Sequence, residues 1–203
     1  MKDRRKGFTL IELLIVIVVI GILSAMMMVT STEIIATTKA ARIISDMRQL
    51  KTATIAWYLE NTERVVSTNA TRKKDGTPNG SLYKIKVGNQ QKEFSDFIKT
   101  NSSEIMNYIS NGKSKKLLDR KNAADKYGEY VLTAMAYSTK WYVCYNVGND
   151  SKLKTKLKGK QDSVGLLGTN KIDDVGGNTG NSPISNAYTD QKFVCLLIFD
   201  FGD

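Results

Sequence analysis

Phe8 to Val29 reads FTLIELLIVIVVIGILSAMMMV, a run of 22 residues whose single charge is Glu12. About 20 apolar residues of helix span a bilayer core of about 30 Å, so this segment is long enough to cross a membrane. The basic residues Lys2, Arg4, Arg5 and Lys6 lie on its N-terminal side with one acid, Asp3. Positive charge stays on the cytoplasmic side of a span. That orientation sends residues 30–203 outward and makes the head extracytoplasmic.

A secretory signal peptide shares the basic start and apolar middle. Its apolar region, however, runs about 7 to 15 residues to an A-x-A-like cleavage site, of which Leu23-Ser24-Ala25 is a poor version. Glu12 separates the readings further. A carboxylate in a lipid-facing helix costs about 2.5–3.5 kcal/mol on insertion scales and is tolerated mainly where it has a partner or a function. A plain single-pass anchor whose Glu12 snorkels to the interface accounts for the charge, but for neither Gly7 nor the run that follows.

The residues Lys6-Gly7-Phe8-Thr9-Leu10-Ile11-Glu12-Leu13-Leu14 resemble the class III leader and N-terminus of type IV pilins and of the pseudopilins of type II secretion systems. The resemblance is specific over residues 6 to about 25 and only general beyond. It implies that a dedicated membrane peptidase cuts after Gly7 and methylates the new amine on Phe8. It further implies that Phe8 and Glu12 act in assembly, the Glu12 carboxylate pairing with the N-terminal amine of a neighbouring subunit. This agrees with the physics, because a buried carboxylate facing an ammonium is compensated and sets the stagger between helices. Many members of the family carry a proline near the position of Val29, where the helix kinks or melts in the fibre. This chain has none there, and Gly21 and Ser24 are the weak helix positions that remain.

Beyond Val29 the chain turns polar without losing helical periodicity. Ala36, Ala40, Ile43, Met47, Leu50, Thr54 and Trp57 recur at alternating spacings of four and three, an a/d stripe. No Pro or Gly occurs between Ile22 and Asn61, so one helix of roughly 80 Å is expected from about Phe8 to about Glu60. A two-chain coiled coil is the rival reading of the stripe; a face on which a head domain packs is the simpler one. The expected organisation is a basic leader over 1–7, a long helix over 8–61 with its membrane and assembly segment at 8–29, and a globular head over 62–203.

Within the head, Asp75-Gly76-Thr77-Pro78-Asn79-Gly80 is dense turn chemistry, and Ser81 to Val87 alternates as a half-buried strand. Glu93 to Ile109 places Phe94, Phe97, Ile98, Ile105, Tyr108 and Ile109 on one helical face with a break near Asn101-Ser102. Tyr130 to Tyr137 and Lys140 to Val147 read as strands joined at Ser138-Thr139. Lys192 to Phe199 is apolar on both alternations, as in a strand covered on both faces. Gly159 to Gln191 is glycine-rich with few apolar residues and reads as a long surface loop. The fold class expected is therefore α+β, an antiparallel sheet laid on the long helix, which is the fold the resemblance implies.

The chain has two cysteines, Cys144 and Cys195. In an exported segment they read as one disulfide, with two buried free thiols as the other reading; pilins typically staple their C-terminal region this way. Lys152, Lys154, Lys156, Lys158 and Lys160 fall on every second residue. On a strand they would share one face, with same-face residues about 6.6–6.8 Å apart. That stripe has two readings: docking on DNA or another anionic polymer by charge alone, or lysines that blunt an exposed edge strand.

Catalytic chemistry has little to work with. The chain has no histidine, the commonest general base, and shows no phosphate-binding, zincin, nucleophile-elbow or paired-cysteine motif. Asp173-Asp174 near Gly176 and Asn178 reads as a calcium loop or as a plain turn, the alternate-position acidic ligands of a calcium loop being absent. No cofactor, metal or catalytic residue is assigned, and no enzyme is expected. Asn69-Ala70-Thr71 and Asn149-Asp150-Ser151 fit a glycosylation sequon.

The expected function is that of a type IV pilus subunit, major or minor, polymerised through its helix into a surface fibre for adhesion, motility or DNA uptake. The alternative is a pseudopilin acting in type II protein export. The expected partners are copies of itself, other pilin subunits, the prepilin peptidase, the inner-membrane assembly machinery and, before assembly, membrane lipid, with DNA or another anionic polymer at the lysines. The expected location is the inner membrane with the head outside, and then the extracellular fibre.

Overall fold

A computed structural model describes residues 8–67, 71–72, 78–79, 83–92, 94–109, 127–134, 139–170, 172, 184 and 186–201. Helix α1 runs Leu10–Glu60, 51 residues and about 76 Å at 1.5 Å per residue. It ends at Asn61, whose side-chain amide donates to the Trp57 carbonyl oxygen at 2.8 Å. All seven residues of the expected stripe, Ala36 to Trp57, are buried. Thr54 is the polar member, and its hydroxyl donates to the Leu50 carbonyl at 2.8 Å, which removes the cost of burying it. The stripe is thus the face against which the head packs.

After a 3-10 turn at Thr62–Arg64 come β1 (Val65–Ser67), β2 (Thr71–Arg72), β3 (Pro78–Asn79), β4 (Tyr83–Val87) and β5 (Gln90–Lys92). Strand β4 is the centre of an antiparallel sheet ordered β1-β4-β5, while β2 and β3 pair with each other. Gly88, with φ +58°, makes the turn between β4 and β5, a conformation that costs glycine nothing. Helix α2 (Phe94–Met106) is interrupted at Asn101, whose φ of −127° and ψ of 23° are not helical, where the sequence reading placed a break. Phe94, Phe97, Ile98, Ile105 and Ile109 are buried as expected, while Tyr108 is only partly buried.

The main sheet is built from β6 (Tyr130–Ala134), β7 (Lys140–Asn146), β8 (Leu167–Thr169), β9 (Asn186–Ala187) and β10 (Phe193–Asp200), with α3 (Ser151–Lys158) and α4 (Gln161–Val164) between β7 and β8. Its order is β6-β7-β10-β8-β9 and its pairs are antiparallel. Strand β10 is central, which explains its continuous apolar sequence. Val194, Leu196 and Ile198 join the core shared with α1, whereas Phe193 and Cys195 join a second cluster with Tyr142, Cys144, Ile172 and Ile184. A strand with a core on each face has no polar alternation to show.

Two expectations are corrected. The segment Gly159 to Gln191 is not a surface loop throughout. It contributes α4, β8 and β9, and it buries Leu166, Thr169 and Tyr188. The glycines misled: Gly168 is buried inside β8 with the end of the Gln191 side chain lying against it. The second correction concerns the lysine stripe, Lys152 to Lys160, which lies on helix α3 and its C-terminal turn, not on a strand. The expected strand end at Tyr137, the joint at Ser138, the turn at Asp75 to Thr77 and Gly80, the carboxylates Asp173 and Asp174, Gly176, Asn178, Asn69 and Ala70 lie outside the described residues.

Candidate functional site

Three regions of the long helix bear on function: its N-terminal tip, the point where it meets the head, and its C-terminal end. At the tip, Thr9 holds extended backbone angles and caps the helix. Its hydroxyl oxygen accepts from the Glu12 N–H at 3.3 Å, and the Glu12 carboxylate accepts from the Thr9 N–H and from the Thr9 hydroxyl, each at 2.8 Å. This reciprocal capping box satisfies two of the donors that a helix start leaves without partners. It also puts a negative charge at the positive end of the helix dipole. The Thr9-x-x-Glu12 spacing is the signal that announces such a box. The sequence reading treated Glu12 only as a partner for another subunit and missed its local role.

Every side chain from Phe8 to Met27 is exposed, Phe8 at 91%. A continuous exposed apolar rod of this length is stable in water only if something else covers it. A bilayer core and neighbouring helices are the two coverings its length and composition fit. Gly7 lies outside the described residues.

Helix α3 grips α1 just beyond this rod. Asp150 caps it by accepting from the Leu153 N–H at 3.0 Å, Leu153 and Leu157 are buried against the core, and Gly159 follows its last residue. Those are ordinary helix signals, masked in the sequence by the alternation of lysines. At about 100° per residue, Lys152 and Lys156 lie on one flank of the leucine face, Lys154 and Lys158 lie on the other, and Lys160 lies past the helix end. The single-face stripe required for docking along a polymer is therefore not formed. Lys152 donates to the Thr32 hydroxyl at 2.9 Å, and Lys156 pairs with Glu33 at 2.6 Å. The hydrogen bond from Lys156, and then its charge, hold the Glu33 carboxyl below the usual range.

On the far face of the main sheet, Cys144 and Cys195 form a disulfide. They are directly opposed across β7 and β10, and both are fully buried. The bridge closes the chain from β7 through α3, α4, β8 and β9 to β10.

Residues 2–28 match the family model for the prokaryotic N-terminal methylation motif, so the match takes in Gly7, Phe8 and Glu12. Two fimbrial proteins of Pseudomonas aeruginosa are each 40% identical over 81 residues, covering 40% of this chain and 47% of theirs. A type IV major fimbrial protein FimA of Dichelobacter nodosus is 41% identical over 63 residues, 31% of this chain and 40% of its own. In its N-terminal segment the chain is thus similar to type IV fimbrial proteins that carry this motif. It spans less than half the length of these curated relatives. No solved structure gives a significant match.

At the far end of the long helix, a polar knot fastens α1 to α2. Glu104 accepts from Arg64 Nη1 at 2.8 Å and from the Trp57 indole at 3.2 Å through one oxygen, and from the Asn101 side chain at 3.2 Å through the other. The Arg64 guanidinium also stands over the Trp57 and Phe97 rings, 5.6 and 5.5 Å from their centroids. Partial burial pushes the Glu104 carboxyl up, but the hydrogen bonds from Arg64, Trp57 and Asn101 and the Arg64 charge outweigh it and hold it below its ordinary value. Sequence reasoning gave no sign of this knot, whose members come from three separate segments.

Proposed function

We propose that this chain is a structural subunit of a type IV pilus, anchored by residues 8–29 in the inner membrane with its head outside, cut after Gly7, and then polymerised through α1. No enzymatic activity is assigned to it. The observation that carries the reading is the exposed apolar rod from Phe8 to Met27, projecting from a head that buries only the later part of the same helix. In the membrane the rod is covered by lipid, and in a fibre by the rods of other copies. The methylation motif over residues 2–28 and the fimbrial names of the relatives support the same assignment.

Glu12 serves twice in this scheme. In the single subunit its charge is held by Thr9, which lowers the cost of keeping a carboxylate near the membrane. After cleavage, the amine of Phe8 on a neighbouring subunit offers a stronger, charge-assisted partner. The similarity to fimbrial proteins and the disulfide-closed C-terminal region favour a pilus over the piston of a secretion system. Sheared cell-surface material, imaged and analysed by mass spectrometry, tests the reading. Fibres whose subunit is this chain starting at a methylated Phe8 are expected. Retention of the protein in the membrane of cells whose fibres lack it would overturn the pilus assignment and favour the pseudopilin one.

A further inference from the structure

The basic helix α3 stands at a definite height above the membrane segment. Thr32 is three residues and Glu33 four residues past Val29, about 4.5 and 6 Å along the helix axis. The headgroup region on each side of a bilayer is roughly 5–8 Å thick, the difference between a core of about 30 Å and a total of about 40–45 Å. Lys152 and Lys156, bonded to Thr32 and Glu33, therefore lie at headgroup depth on the outer side. We infer that α3 is a lipid-headgroup contact of the inserted subunit, with Lys152, Lys154, Lys158 and Lys160 holding anionic phospholipid while Lys156 fastens the helix to Glu33. This rests on the reading that residues 8–29 span the membrane.

The charge balance supports it. Helix α3 has the sequence SKLKTKLK, with no acid. Of the carboxylates around it, Glu33 pairs directly with Lys156 and acts on Lys152 only more weakly through its charge, and Asp150 is engaged as the cap by the Leu153 N–H and by the Tyr127 hydroxyl at 3.3 Å. Lys152, Lys158 and Lys160 are exposed, and Lys154 is half-buried. Lys154 and Lys158 are only about 3 Å along the axis from the two anchored lysines, well inside a Debye length of about 8–10 Å. A headgroup layer is a broad sheet of negative charge that lysines on both flanks of a helix reach through flexible side chains. A nucleic-acid strand needs them on one line, and helix α3 does not provide that. Lipid is accordingly the occupant that the geometry favours over DNA.

The test uses the full chain reconstituted in vesicles of phosphatidylcholine alone and of phosphatidylcholine mixed with phosphatidylglycerol. The rate at which a water-soluble amine reagent modifies each lysine is read by peptide mass spectrometry. Lys86 is the internal reference. Its carbonyl accepts from Arg64 at 3.3 Å, which places it at the far end of α1, about 45 Å from the membrane segment. Phosphatidylglycerol is expected to slow modification of Lys152, Lys154, Lys158 and Lys160 by about fivefold or more relative to Lys86, since a lysine at an anionic surface gains about that factor, and added salt should reverse the effect. Equal rates in the two vesicle types, with the chain floating with the vesicles, would overturn the headgroup contact and leave the membrane reading intact. A chain that fails to float with either type would overturn the membrane reading itself. Protection by added double-stranded DNA, equal in both lipids and greater than any effect of phosphatidylglycerol, would replace lipid by DNA as the partner.

Discussion

Replacing both cysteines with alanine, Cys144→Ala with Cys195→Ala, should lower the stability of the head by about 4 kcal/mol through the unfolded state alone. The two are 51 residues apart in sequence, and the chain-entropy model for a loop of that length gives a loss of about 14 cal/mol/K, or about 4.1 kcal/mol at 25 °C. Alanine also empties the sulfur positions in the cluster of Tyr142, Ile172, Ile184 and Phe193, which adds about 1 kcal/mol. Urea unfolding of the detergent-solubilised full chain, followed by tryptophan fluorescence, reads the sum. Trp57 and Trp141 both lie in the core and report its opening.

Wild-type protein, reduced while unfolded and refolded with a thiol reductant present, isolates the loop contribution, because it keeps both sulfurs and loses only the bond. It should lose most of the 4 kcal/mol and show a steeper dependence on urea, since an uncrosslinked chain exposes more surface on unfolding. A reduced protein with the same midpoint and slope as the oxidised one would refute the reasoning: the bridge would then contribute packing and not chain constraint. Two reactive thiols per chain in denatured, unreduced protein would remove the bridge altogether.

Gly7→Ala is expected to block leader removal and leave the precursor intact, whereas N-terminal sequencing that finds a start after Ala25 would contradict the processing assigned to Gly7. Glu12→Ala should insert in the membrane as well as the parent or better, because a carboxylate is removed from the rod, while fibre yield falls. Thr9→Val, which removes the capping hydroxyl, should lower fibre yield less than Glu12→Ala; equal loss from the two would mean that Glu12 serves only as the helix cap. Glu104→Gln is expected to cost about 1 kcal/mol at neutral pH, a charge-assisted bond discounted for solvent screening of a group about a third exposed. Because the Glu104 carboxyl is held below its ordinary value in the folded chain, its stabilisation is complete above the ordinary carboxyl range and disappears as pH falls through the depressed value. Acid titration of stability should therefore be shallower for the variant over that window, and parallel acid limbs would refute the role of the knot.

Much of the fold was legible because it repeats a period over a long stretch. The seven residues of the stripe from Ala36 to Trp57, all buried, kept one helical face for six successive steps, and no local alternative satisfies that pattern. The break at Asn101 and the two-faced apolar run of β10 were legible for similar reasons, since each departs visibly from the period around it. What failed was short or ambiguous. A segment such as Lys152 to Lys160 has an alternation of charge and a four-residue spacing of leucine at once, and only the groove beside α1 selects the helix by burying Leu153 and Leu157.

By itself, the sequence determined the apolar rod, the methylation-type N-terminus and the existence of a long helix with one packed face. These depend on local composition and on interactions between residues a turn apart, which any fold containing the segment must respect. The tertiary structure decided that β8 and β9 extend the sheet, that Cys144 faces Cys195 across it, that Glu104 ties three segments together, and that the lysines of α3 stand at Thr32 and Glu33. Each of those is a meeting of segments far apart in the chain. Their energy comes from partners that no local pattern names, and it becomes available only once the long helix has given the sheet a surface to pack on.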